Sequence, residues 1–496
     1  MDKKRPIVLL ILLSFLLTSG SAYSTASAEK AFTPNLEAAQ SYLETQMRRH
    51  RFKGMAVAIT QGEDIVYLNG FGSAGSSRPV TTDTPFFIGS VSKSFTALAV
   101  MQLVDQGLVD LDAPVQTYLP WFTTADGTAA SQITIRHLLN QTSGMSNASL
   151  RRPLVTEETT LEETVRHLSQ AELTSPPGTA FNYFNPNYNV LALVVAEVTG
   201  VKFEDYLAEN VFEPLEMTHS FTELEPARQA GLADGHIFFF GFPLTREQPL
   251  YLAELPAGFM ISTAEDMAHY MIALINGGTF HQKPLLSPEA IQIMHTPQPG
   301  VQGGYAMGWS VHDKDGYQLI RHNGAVEAFY SEVLLLPDQE IGITLLINQN
   351  AFIPVGFTFG PFADGLVDAL LGNQPSLGIP LSLVYGILAV IVIYDLVSHV
   401  IALKRVPKWW QKVAGKSRAR IIIGVVLSHL LIPAVVIFFV VMMMVTAGLN
   451  AARITLYYYM FDIALWLTIS IVLSLVEAVI KLRWVVGYHS AGQPMP

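Results

Sequence analysis

The hydrophobic pattern divides the chain into three parts. Residues 381–403 (LSLVYGILAVIVIYDLVSHVIAL), 421–447 and 456–480 are long apolar stretches, each sufficient to cross a hydrocarbon layer of about 30 Å as a helix. Residues 1–28 combine a basic start (Lys3, Lys4, Arg5), an apolar run from Ile7 to Leu17 and small residues at Ala26 and Ala28, the pattern of a secretory signal peptide cut after Ala28. Between them, residues 29–375 read as a globular domain, and 376–380 as a linker within the turn-rich GNQPSLGIP.

Within the domain, residues 54–72 hold two apolar runs separated by QGED, and residues 330–350 hold two more around PDQE; both predict β-hairpins. Helical patterning predicts helices from about Ser90 to Gly107, over 134–141, from Asn187 to Val198 and from Thr263 to Asn276. Strands at both ends with helices between predict that the domain's termini meet in one sheet while the middle forms a second lobe.

Composition restricts the classes open to this chain. Half of its 496 residues are hydrophobic and 14% are charged, which excludes a mostly disordered protein and is too apolar for a wholly soluble one. With no cysteine, disulfides, thiolate nucleophiles and Cys-ligated metals are excluded. The 13 histidines form no close ligand cluster in the sequence, so neither a metal nor another cofactor is expected. Residues 404–420 carry seven Lys or Arg and no acid. By the positive-inside rule they are cytoplasmic, which puts 29–375 outside the membrane and the tail, 481–496, inside. The exported portion is strongly acidic and does not suit nucleic acid; the oligomeric state is left open. Asp395, His399, His429, Asp462 and Glu477 lie in or near the spans, where ionisable groups are expensive and face a bundle interior.

Candidate chemistry begins at GSVSKSF, where Ser90 and Lys93 are three apart on one helical face. A lysine on the apolar side of that helix would be desolvated, its charged form disfavoured, and so able to take a hydroxyl proton. In SPPGTAFNYFNPNYN, Tyr183 and Asn185 sit two apart just before an apolar helix: a phenol can relay a proton and an amide can hold a carbonyl. A packed tyrosine and a helix-capping asparagine are the bland alternative. His322-Asn323-Gly324 precedes the last hairpin, where the glycine lets backbone approach a ligand; a turn histidine is the plainer reading.

Taken in order, Ser-x-x-Lys, Pro-Gly-Thr followed by Tyr-x-Asn, and His-x-Gly resemble the serine β-lactamase and penicillin-binding-protein family of the class C type, with its D-amino-acid peptidase and esterase relatives. ITIRHLLNQTSGM (133–145) and PAGFMISTAEDMAHYM (256–271) look like further segments of that family. The resemblance implies an α/β (α+β) fold, with an antiparallel sheet flanked by helices and a helical lobe, followed here by three transmembrane helices. It implies an acyl-transfer site on a peptide-like or D-amino-acid-containing small substrate. Ser90 would be the nucleophile, Lys93 would hold Tyr183 basic, and Tyr183 would pass the proton to the leaving group. The backbone N–H groups of Ser90 and Ala325 would form the oxyanion hole, and Asn185, His322, Gly324 and Glu327 would bind substrate.

Three departures matter: His322 stands where many members carry lysine, Phe184 is bulky, and Glu327 lies where it could meet a substrate amine. An exported domain of this kind followed by three spans looks like the peptidases that mature prodrugs. A class C-like β-lactamase or esterase, a β-lactam-acylated sensor and a scaffold with a vestigial pocket are the competing readings. An α/β-hydrolase is disfavoured because Gly-x-Ser-x-Gly is absent from the sequence.

Overall fold

The computed structural model describes residues 32–75, 77–149, 155–300, 304–351, 358–446 and 449–490. The expected signal peptide lies outside them. After α1 (Leu36–His50) the chain enters β1 (Gly54–Gln61) and β2 (Asp64–Gly75), the hairpin expected around QGED. A single 3-10 turn at Gly89–Val91 leads into α2 (Ser92–Asp105). The middle of the domain is built from α3 (Pro186–Thr199) and shorter helices including Ile135–Leu139 and Leu161–Arg166. A hairpin of β3 (His236–Phe239) and β4 (Phe242–Thr245) follows, then α4 (Ala264–Ile275). The chain returns to the main sheet through β5 (Trp309–Lys314), β6 (Tyr317–Val326), β7 (Phe329–Leu336) and β8 (Ile341–Ile347), and α5 (Phe359–Leu370) closes the domain.

The sheet has eight antiparallel strands, with β5 to β8 followed by β1 and β2, and two-residue strands at the edges. Pairing of Met55 with Ile347 joins the two ends of the domain as the pattern predicts. β1 is buried along nearly its whole length because both sheet faces are covered. Strand alternation sends Met55, Val57 and Ile59 to one side, against Phe359 and Phe362 of α5. Ala56 and Ala58 go to the other, larger core, which includes Met267 and Met271 of α4.

Among the described residues, three helices are long and apolar enough to cross a membrane: α6 (Leu381–Lys404), α7 (Arg418–Thr446) and α8 (Phe461–Ser490). The third begins five residues later than the apolar stretch suggests. Thr455–Tyr459 forms a separate wide turn, and its aromatic side chains contact the globular domain: the Tyr458 hydroxyl donates to the Glu247 carbonyl at 3.3 Å, and Arg246 stacks over the rings of Tyr457 and Phe461, each at 4.8 Å. The Phe240 N–H donates to Asp462 at 3.0 Å.

Between the helices runs a polar ladder. Trp466 donates to Asp395 at 3.0 Å, His399 Nδ1 lies 2.7 Å from Glu477, and Lys481 Nζ lies 2.8 Å from His429 Nε2 and 3.5 Å from Glu477. The expectation that these groups face the bundle interior is met for Glu477 and His429, while Asp462 is buried against the Phe240 N–H of the globular domain.

Candidate active site

Backbone geometry puts Ser90 where a ligand can reach it. Gly89 has φ +52°, and a Cβ there would fall 2.5 Å from the Ala325 nitrogen. A Cβ on Gly324 would fall 2.0 Å from the Ile88 carbonyl oxygen. The turn bearing Ser90 and the end of β6 therefore touch backbone to backbone, and both glycines are required by that approach. The Ser331 hydroxyl donates to Ile88 O at 2.6 Å, and the Ile88 N–H donates to Met260 O at 3.0 Å, fixing the turn from two further sides. Pairing of β5 with β6 extends along β6 only to Arg321, so residues 322–326 run past the end of β5.

Lys93 is fully buried; its Nζ donates to Ser90 Oγ at 3.1 Å and to the Ala257 carbonyl at 2.5 Å, and stands 4.7 Å over the Tyr183 ring. Ala257 belongs to the PAGFM segment, so that segment acts as the lysine's acceptor. The Tyr183 ring also lies 6.1 Å from that of Tyr305, edge to face. Desolvation raises its phenol pKa above the ordinary value and the neighbouring Ser90 hydroxyl lowers it again in part, although the residue is 36% exposed.

Asn185 precedes α3 but makes no capping hydrogen bond with its side chain. Its Oδ1 is buried and without a hydrogen-bond partner, which removes the capping explanation. Phe184 is fully buried, so its bulk goes into the core and not into the cleft.

His322 lies within β6, not in a turn. Its Nδ1–H donates to the Asn323 carbonyl at 2.7 Å, which leaves Nε2 to accept from the Tyr305 hydroxyl at 3.2 Å. Burial, then the positive field of Lys93, hold its pKa down to about 3. The ring is 6.3 Å from that of Tyr183. His322 is thus a neutral, hydrogen-bonded member of the site and not a cationic clamp.

Glu327 differs from expectation. It occupies the two-residue turn between β6 and β7 and is buried; its carboxylate accepts from Gln248 Nε2 at 2.5 Å, while Gln248 Oε1 accepts from the Ala328 N–H at 3.0 Å. Burial raises its pKa. A carboxylate held this way inside the fold is not an open acceptor for a substrate amine.

Residue-level reasoning missed Gln141, Tyr305 and Gln248. Gln141, at φ +59°, accepts from the Phe184 N–H at 3.0 Å and from Asn187 Nδ2 at 2.6 Å, holding the Tyr-x-Asn segment in place. The only signal for it was its position inside ITIRHLLNQTSGM. Among the described residues no group of three or more His, Asp or Glu is arranged to hold a metal.

Residues 39–357 match the family model described as Beta-lactamase, and the chain belongs to that family. It is 26% identical over 316 residues to Protein flp of Staphylococcus aureus (strain COL), covering 63% of each chain, and 28% identical over 330 residues to human Putative beta-lactamase-like 1, covering 63% of this chain and 64% of that protein. The chain thus spans a little under two thirds of the length of these curated relatives. The octameric penicillin-binding protein homologue from Pyrococcus abyssi superposes with a TM-score of 0.58 at 26% identity, over 69% of this chain and 78% of that one. The D-alanine carboxypeptidase AmpC from Burkholderia cenocepacia does so with 0.57 at 22% identity, over 68% and 98%, a likeness of fold. The fold is the β-lactamase-like α/β domain that the ordered motifs imply, and the family is one of serine hydrolases.

Proposed function

We propose that the chain is a membrane-anchored serine hydrolase that cleaves amide or ester bonds through an acyl-enzyme, next to a D-configured residue in a peptide-like substrate. The observation that carries this reading is the buried Lys93 amine 3.1 Å from Ser90 Oγ, with the Tyr183 ring 4.7 Å from the same amine. Ser90 Oγ attacks the carbonyl carbon as Lys93 takes its proton, and the resulting oxyanion lies between the N–H groups of Ser90 and Ala325. Collapse breaks the bond to the leaving nitrogen or oxygen. Tyr183 supplies the leaving group's proton and is reprotonated from Lys93. Water then enters, gives a proton back through the same pair, and releases the acid and free Ser90. Asn185 Oδ1 accepts from a substrate amide N–H.

Neutral His322 favours amides or esters within a longer substrate over a terminal carboxylate, which wants a fixed cation. The preference for a D-residue rests on the family resemblance, to which the D-alanine carboxypeptidase neighbour lends weight.

The anchoring reading assigns 1–28 to export, 29–375 to a catalytic domain outside the cytoplasm, 376–380 to a linker and 481–496 to a cytoplasmic tail. Its support is that the contacts of Tyr457, Tyr458, Phe461 and Asp462 with the domain lie at the start of α8, and Phe238 stacks on Tyr385 near the start of α6 at 5.8 Å. The basic segment 404–420 joins the opposite helix ends.

A fluorophosphonate or β-lactam probe should label the membrane-inserted protein and fail to label Ser90→Ala. Extracts of cells carrying Ser90→Ala should retain an uncut peptide-like substrate. Labelling that survives the substitution refutes the mechanism, and a stable β-lactam adduct with no turnover of any peptide or ester favours a sensor.

A further inference from the structure

We propose that the globular domain itself docks on lipid: Arg49, Arg51 and the hairpin residue Phe242 form a surface for the headgroups of anionic phospholipid in the leaflet that faces the domain. The inference rests on the anchoring reading given above and adds to it a lipid contact made outside the helices. Its first support is depth. The hairpin of β3 and β4 touches the starts of both α6 and α8: a Cβ on Gly241 would fall 3.1 Å from that of Tyr385, the Phe239 and Phe461 rings are 5.8 Å apart, and the Phe240 N–H donates to Asp462. Tyr385 lies four residues into α6, about 6 Å along its axis. The hairpin tip is therefore level with the ends at which these helices enter the apolar layer.

The chemistry found at that level is the second support. Phe242, the next hairpin residue, is 61% exposed, and the Arg51 guanidinium carbon stands 5.2 Å over its ring. Arg49 donates to the Gly378 carbonyl at 2.8 Å. The neighbours of Gly378, Leu377 and Ile379, are exposed and lie just before α6. Two guanidinium groups are thus held by contact beside the exposed apolar side chains of Phe242, Leu377 and Ile379. The segment that supplies them, RRHRFK at 48–53, has four Lys or Arg and no acid, in a domain whose balance is strongly acidic. Arg48 faces Glu44 at 3.9 Å and His50 is buried, so the charge placed at the helix ends is that of Arg49 and Arg51.

A headgroup layer suits both parts of this surface. Apolar side chains at that depth bury area against the upper acyl chains, while guanidinium forks pair phosphate oxygens. Attraction to a negative surface acts within about a Debye length, roughly 8 Å at physiological salt, and residues adjoining the first turns of membrane helices lie inside that range. The acidic remainder of the domain is repelled by the same lipids. Repulsion elsewhere and attraction here orient the domain with the hairpin toward the bilayer.

The chain has no cysteine, so one introduced cysteine carries an NBD fluorophore without background. Pro243→Cys, exposed beside Phe242, reports on the surface, and Tyr394→Cys, exposed midway along α6, reports on the lipid itself. Each labelled full chain is placed in phosphatidylcholine nanodiscs containing, in turn, 5-doxyl phosphatidylglycerol or 5-doxyl phosphatidylcholine at equal mole fraction. At Pro243→Cys the anionic quencher should be about threefold the more effective, while at Tyr394→Cys the two act alike; adding Arg49→Gln and Arg51→Gln should bring the ratio at Pro243→Cys to about one. Circular dichroism checks that each variant is folded. The Arg51 side chain is exposed, so Arg51→Gln alone, which should remove about half of the excess, decides the matter should the double substitution misfold. A ratio near one in the unsubstituted surface, no quenching at Pro243→Cys by either lipid, or an excess that the arginine substitutions leave unchanged overturns the inference. No quenching at Tyr394→Cys strikes instead at the anchoring reading itself.

Discussion

Among the described residues, two buried polar centres are built around a lysine. At the Ser90 centre, Lys93 donates to a hydroxyl and to a main-chain carbonyl and stands over an aromatic ring. Between the helices, Lys481 sits with Glu477 and His429, and Glu477 is shared with His399. The second centre matches opposite charges against one another and ties three helices together. The first offers its lysine a partner that can itself react, beside an asparagine oxygen that nothing in the protein satisfies. Burial of a lysine is therefore not the mark of a catalytic group; the chemistry of what it touches is.

The difference is broken most severely at Lys93. Lys93→Met should lower kcat/KM by about 10³-fold while leaving the fold intact, checked by steady-state ester hydrolysis beside circular dichroism. A residual rate above a tenth of the parent's would move the proton-accepting role to another group. Asn185→Ala should lower kcat/KM for an amide substrate by about 10- to 100-fold with little change in thermal stability, because the amide neither caps α3 nor bonds elsewhere. Stability falling in step with activity would mean Asn185 is structural after all.

In the helical centre the expected outcome is reversed. Glu477→Gln should weaken the helix bundle by about 2 kcal/mol, seen as loss of protection from proteolysis in detergent, and leave fluorophosphonate labelling of Ser90 unchanged.

The smallest effect concerns pH. His322 has its pKa lowered from an ordinary value of 6.5 to about 3, so the unfolded chain binds the proton more readily than the folded one. Its contribution to stability is complete above about pH 6.5 and is lost as pH falls toward 3. His50 and His295, each lowered to about 4 by burial, act in the same direction. His322→Asn should flatten, though not abolish, the acid limb of a melting-temperature profile; an unchanged limb would contradict a neutral His322.

Much of this could be read from the chain because it is local. The hairpins around Gly62 and Pro337, the helix after Ser90 and the helix after Asn185 follow from alternation, helical spacing and turn residues within a few positions. The order of Ser90, Lys93, Tyr183 and His322 pointed to one site because a family resemblance supplied the long-range arrangement. Gln141 stayed hidden because no periodicity announces a positive φ at a glutamine. The grip of Gln248 on Glu327 depends on two segments 79 residues apart, and a buried carboxylate looks the same in sequence as one lining a cleft. The start of the third helix was misplaced because Tyr457 and Tyr458 are as apolar by count as the lipid-facing residues that follow, and only contact with Arg246 and Glu247 distinguishes them.

The ladder has a further consequence for α8. Trp466, Ser470, Ser474, Glu477 and Lys481 recur every three or four residues along it and form one stripe. A rotation of that helix about its own axis would carry Glu477 and Lys481 away from their partners on the other two helices, so its angular setting is dictated from deep in the bundle. Phe461 and Asp462, about 24 Å away at the other end of the same rod, inherit that setting. The compass bearing of the helix, and with it the side on which the catalytic domain comes to rest, is written in charges that never approach the substrate.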